Sequence, residues 1–159
     1  MDSSLPTLQP TARRIVVLRH EPEDPKMPPH HDLMLEPTTS ATDDVRDVPT
    51  WRCDLRPDRL EAGSEIAVAP IAPHRRWWLA RPLGEEVTLR PPLGIARVIA
   101  RGEIQAPASG EPADGSRVRV RWSDDTRIVE FRIAGSRLRC LAPSLGATCR
   151  CSPGDGSCC

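Results

Sequence analysis

Two of the four histidines in the chain stand together in His30-His31-Asp32-Leu33-Met34-Leu35-Glu36, ten residues after a third, His20. As a β-strand this stretch turns alternate side chains to opposite faces. His30, Asp32 and Met34 then share one side, and His31, Leu33 and Leu35 the other. An imidazole and a carboxylate on one strand face, with a second imidazole close by, form a donor set for a divalent metal ion. The intervening Glu21 to Pro29 carries Pro22, Pro25, Pro28 and Pro29, which excludes a regular element. If the strands before and after that loop pair antiparallel, His20 faces His30 at its base and Asp32 joins them.

Three further groups bear chemistry. His74-Arg75-Arg76-Trp77-Trp78-Leu79 sets an imidazole beside two guanidiniums and two indoles, a combination that grips a phosphate and stacks on a base or sugar. The same residues also read as a strand with packed tryptophans and solvated arginines. Cys53 reads as a small packed side chain. Cys149-Arg150-Cys151 and Cys158-Cys159 offer thiolates for a soft metal such as zinc or copper(I), but their spacing is not that of a two-knuckle zinc site.

The elements that position these residues are short. Arg13 to His20, with Ile15-Val16-Val17-Leu18 at its centre, reads as a strand covered on both faces. Val48 to Leu55 is a third strand, Pro49 favouring its start or an edge. Ile66 to Ala69 is a short apolar stretch before Pro70 to Pro73; Glu86 to Arg90 and Ala96 to Gln105 are further strands, separated by the turn Pro91-Pro92-Leu93-Gly94. The clearest alternation is Arg117-Val118-Arg119-Val120-Arg121-Trp122, which returns through Val129, Phe131 and Ile133 and again through Arg137 to Leu141. Its arginine face is either a nucleic-acid contact or the wet side of a half-buried sheet.

Composition agrees with a mainly β chain: a compact, antiparallel β-barrel-like single domain with short irregular loops. Eighteen prolines discourage long helices, tyrosine is absent, and one phenylalanine leaves Trp51, Trp77, Trp78 and Trp122 to supply bulk. Residues 13–142 form the expected domain, 1–12 a flexible arm, and 143–159 a cysteine-rich tail of disordered composition. The 22 basic and 22 acidic residues balance, so net charge selects no partner; every basic residue but Lys26 is arginine. No run reaches the roughly 18 apolar residues of a membrane span, and Met1 to Pro10 lacks the features of a signal peptide. The expected location is cytoplasmic, away from membranes.

Taken in order, His20, His30-x-Asp32-x-x-Leu35-Glu36, Trp51, His74 near aromatics and an arginine-rich meander resemble the 3′-phosphoesterase domain of bacterial DNA ligase D, especially its small stand-alone relatives. The resemblance spans roughly residues 13 to 142, and its most specific piece is His-x-Asp-x-x-Leu-Glu. It implies manganese-dependent removal of a 3′-phosphate or terminal ribonucleotide from DNA 3′ ends during repair and end joining, alongside a ligase or polymerase. It also implies a metal, manganese or alternatively zinc, on His20, His30 and Asp32, with His30, Asp32 and His74 catalytic. Arg75, Arg76 and Trp78 are the expected substrate contacts. Several positions depart from the pattern. Met34 stands where those enzymes have a phosphate-binding arginine, Trp78 where they have tyrosine, and Arg81-Pro82-Leu83 where they have aromatic-Glu-Gly; of the glycine-rich turn Gly94 and Gly102 remain. Two other readings stand beside the enzyme: a catalytically weakened barrel that binds nucleic-acid ends or a repair partner, and a structural domain without metal.

Overall fold

The alternation of the sequence closes into a barrel. The computed structural model describes residues 13–105, 117–124 and 127–141; the expected arm, the loop 106–116 and the cysteine-rich tail lie outside them. Nine strands occur among the described residues: β1 (Arg13–Glu21), β2 (His30–Leu35), β3 (Arg46–Cys53), β4 (Glu65–Arg75), β5 (Glu86–Thr88), β6 (Ile95–Ile104), β7 (Arg117–Trp122), β8 (Ile128–Ala134) and β9 (Arg137–Leu141). They hydrogen-bond in the order β1-β2-β3-β4-β9-β8-β7-β6, and β6 returns to β1, closing eight antiparallel strands with β5 added beside β6. Closure leaves few free edges to template aggregation.

The interior is filled by one side of every barrel strand. Ile15, Val17, Leu33, Leu35, Trp51, Cys53, Val68, Val120, Trp122, Phe131 and Leu138 are among its members. Trp122 and Phe131 meet edge to face with centroids 6.2 Å apart, a geometry the ring quadrupoles favour. At the closure Gly102 lies between Ile15 and Trp122 in register, where a Cβ would come within 2.5 Å of the Arg121 carbonyl oxygen. Gly102 is thus part of a strand and not of a turn.

A second, smaller core lies outside the barrel. The opposite side chains of β1, β2, β3 and β6 (Val16, Leu18, Met34, Val48, Ala96 and Val98) pack under Trp78 and Leu79. The cover is a 3₁₀ turn, Arg76–Ala80, where the sequence allowed a strand. Arg101 holds it by donating to the carbonyl oxygens of Leu79 and Arg81. Val16, Val17 and Met34 are each fully buried, as an apolar strand with two covered faces requires.

β4 differs from expectation in length. Pro70 and Pro73 do not end it; the strand continues to Arg75 against β3. It pairs with β9 only over Glu65–Ala67, so beyond that point its other side is an edge, where proline is tolerated. Two register shifts, between Arg46 and Val48 and between Val48 and Thr50, accommodate the irregular segment.

The hairpin of β1 and β2 is clamped at its open end. Glu36 accepts from the Arg14 backbone N–H at 2.7 Å and from Arg14 Nε and Nη2 at 2.9 and 2.8 Å. Burial by itself raises the carboxyl pKa, but these bonds outweigh it and hold Glu36 below its ordinary value. A carboxylate depressed in the folded state stabilises above its unfolded pKa, and that stabilisation is lost as pH falls through the folded value. Glu36→Gln should therefore cost about 2 kcal/mol at neutral pH. In urea titrations the gap between variant and parent should close as pH falls below 4.5, the ordinary value of a glutamate carboxyl. A gap unchanged by pH would show that the clamp is not ionic.

Candidate metal centre and adjoining cleft

The pairing of β1 with β2 sets Val16 against Met34, Leu18 against Asp32 and His20 against His30. These six residues share the outer face, so the second core passes directly into a polar cluster at its end. Asp32 and His30 are each 3 % exposed. His20, His30 and Asp32 each direct one ligand atom inward, and those atoms all lie within 4.8 Å of one another.

Two backbone carbonyls orient the imidazoles. His20 Nε2 lies 2.6 Å from the Leu93 carbonyl oxygen, and His30 Nδ1 lies 3.2 Å from that of Pro28. A carbonyl only accepts, so each of those nitrogens carries the proton. The remaining nitrogens, His20 Nδ1 and His30 Nε2, then present lone pairs to each other across 3.2 Å. Asp32 Oδ1 lies 3.5 Å from His30 Nε2. It is buried and has no hydrogen-bond partner among the described residues. Two lone pairs and a carboxylate oxygen turned toward one point repel unless a cation lies among them. Metal bonds of about 2.0–2.2 Å to such ligands match the shorter separations, and the widest asks for slight inward movement. The residues present fit a divalent ion, and the two carbonyls are the outer partners that fix histidine ligands in metal sites.

Charge supports the same ligand set. Burial lowers the His30 pKa, against smaller opposing effects of the Pro28 bond and Asp32, so at neutral pH it is the uncharged, ligating form. Cys53, beneath the site, is pushed up to about 12 by burial, with the Asp32 and Asp54 charges adding to it; it is a packed thiol and not a nucleophile. His31 faces away, and burial lowers its pKa too.

His74 reaches the cluster from β4. Its Nε2 lies 3.3 Å from Asp32 Oδ2, and its Nδ1 3.1 Å from the Ala72 carbonyl oxygen. Both nitrogens thus face acceptor oxygens. The second carboxylate oxygen is thereby occupied and the first left toward the imidazoles.

Beside His74 opens a cleft of about 500 Å³ lined by residues that include Arg46, Arg75, Arg90, Trp77, Trp78 and Leu93. Among the described residues Arg46, Arg75 and Arg90 have no ion-pair partner. Two expected substrate contacts are placed differently from Arg75. Arg76 is buried and forms a two-pronged pair with Asp47, both bonds 2.7 Å, because a buried guanidinium requires a counter-charge. Trp78 touches the cleft but is 8 % exposed, its indole engaged in covering the second core. Trp77 is the half-buried indole, with Arg81 4.3 Å above its ring. On β7, Arg117 and Arg119 flank Glu130 at 3.6 and 4.0 Å, which makes that row the outer side of a half-buried sheet.

Sequence reasoning missed Arg46, Arg90, Arg52 and the Leu93 carbonyl. Gly94 was the available signal for the last. Its φ is +77°, and a Cβ there would lie 2.0 Å from the Glu21 carbonyl oxygen. Only glycine lets this loop close on the end of β1 and bring Leu93 to His20.

No protein-family model matches the sequence, and no curated protein or solved structure matches it.

Manganese or zinc should raise the unfolding midpoint, by the equivalent of about 2.7 kcal/mol at a hundredfold excess over Kd. His20→Ala and Asp32→Asn should abolish the rise. Protons compete for the imidazole lone pairs, so affinity should fall with acidification, His30 holding its lone pair below the ordinary imidazole range. Gly94→Ala removes no ligand yet should weaken binding about 10–100-fold by displacing the Leu93 carbonyl. Calorimetric titration measures both, and an unaltered Kd in Gly94→Ala would remove the carbonyl from the account.

Proposed function

We propose that this barrel is a metal-dependent phosphoesterase acting on the 3′ ends of nucleic acid, akin to the 3′-phosphoesterase domain of DNA ligase D that the sequence resembles. The observation that carries the reading is the convergence of His20 Nδ1, His30 Nε2 and Asp32 Oδ1, which has no hydrogen-bond partner among the described residues, with both tautomers set by carbonyls. The adjoining cleft supports it, since its unpaired arginines and half-buried Trp77 match an anionic chain with an aromatic base. Manganese is the proposed ion and zinc the alternative.

A divalent ion on these ligands would supply Lewis-acid stabilisation of a phosphate oxygen and a more acidic bound water. The chain's own part is to place and neutralise the substrate. Arg46, Arg75 and Arg90 attract the phosphodiester into the cleft, and Trp77 offers a face for the terminal base. His74 Nε2, at the cleft's edge, is shared between Asp32 Oδ2 and the leaving 3′ oxygen, which takes its proton as the bond to phosphorus breaks. Water furnishes the hydroxyl gained by phosphorus, and its proton restores His74. The Ala72 carbonyl keeps the ring in place throughout.

The purified chain with manganese should convert a 3′-phosphorylated oligonucleotide, or one ending in a single ribonucleotide, to a 3′-hydroxyl end. Asp32→Asn should lack activity, and His74→Ala should lose about 10²–10⁴ in kcat. A preparation that binds manganese and turns over neither substrate would remove the enzyme reading. Two observations favour a second one, a module that binds nucleic-acid ends or a repair partner without catalysis. Met34 is fully buried and apolar where the resemblance would place a phosphate-binding arginine, and Trp78 is buried where it would place tyrosine. That module would show salt-dependent oligonucleotide binding that persists in His30→Ala.

A further inference from the structure

We propose that Arg52 is a substrate-binding residue of this site, its guanidinium donating to an oxygen of the bound phosphate beside Asp32. The inference rests on the phosphoesterase reading and adds a residue that neither the sequence pattern nor the resemblance indicated. Arg52 is the register partner of Asp32 in the β2–β3 ladder. Its neighbours Trp51 and Cys53 lie in the barrel interior, so alternation turns Arg52 to the outer face that carries His30 and Asp32.

The arginine stands opposite a carboxylate and yet does not pair with it. Asp32 Oδ1 is turned toward His30 and Oδ2 toward His74. Arg52 Nε is buried and has no hydrogen-bond partner among the described residues. A buried N–H left unpaired is costly, and a charged one more so. An anion at this point removes that cost. The planar fork of guanidinium matches a tetrahedral oxyanion by two parallel bonds. With a divalent ion on the cluster, Asp32 is its one carboxylate ligand, so the region carries excess positive charge and calls for an anionic ligand. Phosphate, held between the cluster and Arg52, meets both demands.

The test titrates the full chain with inorganic phosphate by calorimetry after loading with manganese, so that no turnover is needed. Arg52→Met, which keeps the aliphatic stem, should weaken phosphate binding at least tenfold and leave manganese affinity unchanged. Arg52→Lys should fall between variant and parent, having the charge without the fork. Arg121→Met, an exposed arginine of β7, should bind phosphate like the parent. Phosphate affinity unchanged in Arg52→Met overturns the inference and leaves the phosphoesterase reading standing. A manganese-loaded parent that binds no phosphate overturns both. Parallel loss of manganese affinity would make Arg52 a support for the ligands and also overturn the inference. If Arg52→Met fails to fold by circular dichroism, Arg52→Lys decides: parental phosphate affinity there excludes a two-pronged contact.

Discussion

Both faces of β1 and β2 are buried, and the rest of the molecule is arranged around that constraint. A strand in a closed barrel ordinarily has one covered side and one wet side. Here Ile15, Val17, Leu33 and Leu35 fill the interior, while Val16, Leu18 and Met34 require a second cover, which the 3₁₀ turn and its tryptophans provide. Because successive residues alternate faces, continuing the outer set by one rung delivers His20, Asp32 and His30 to the margin of an apolar core. The polar groups are thus desolvated by the same packing that stabilises the hairpin. Burial lowers the basicity of His30 and leaves Asp32 with an oxygen unpaired among the described residues, two consequences of one arrangement.

Charge around the cluster is sorted by depth. The fully buried arginine, Arg76, is matched by Asp47, and the buried carboxylate of Asp58 by Arg56 and Arg59. These pairs hold loops to the barrel. The arginines facing the cleft are different, since Arg46, Arg75 and Arg90 form no ion pair among the described residues, and Arg75 has only the more distant charge of the exposed Asp44. Arg46 and Arg75 are even register partners across β3 and β4, and like charges placed directly opposite destabilise a sheet. An unmatched positive rim beside an unmatched donor cluster is a local sacrifice of stability, of the kind found where a ligand supplies the missing charge.

Much of the fold was legible because alternation and proline act locally. The β7–β9 meander, the β1–β2 hairpin and the shared face of His20, His30 and Asp32 follow from period two and one proline-rich loop. What was not legible depended on pairing between distant segments. Pro70 and Pro73 read as breaks because nothing local shows that β4 loses its second neighbour beyond Ala67. Arg75 and Arg76 are adjacent and chemically alike, yet one lines a cleft and the other pairs with Asp47, since the strand ends between them. Arg52 was overlooked for the same reason: its face follows from Trp51 and Cys53 pointing inward, but its place beside Asp32 requires the β2–β3 register.

That register also bears on Met34. Its Cα partners are Val16 on β1 and Thr50 on β3, and it is fully buried beneath the tryptophan cover. An arginine at this position would have to displace Trp78 or Leu79 to bring its head group to solvent, at the expense of the second core that holds His20, His30 and Asp32 in place. In this chain the outer face at residue 34 is thus committed to packing, and any cation serving the cluster must come from another strand. Of the two strands flanking β2, β1 sets Leu18 opposite Asp32, whereas β3 sets there an arginine whose Nε is unpaired among the described residues. On the proposed reading, the apolar side chain of Met34 moves the charge that holds phosphate from β2 to β3 and leaves the metal side of the site unchanged.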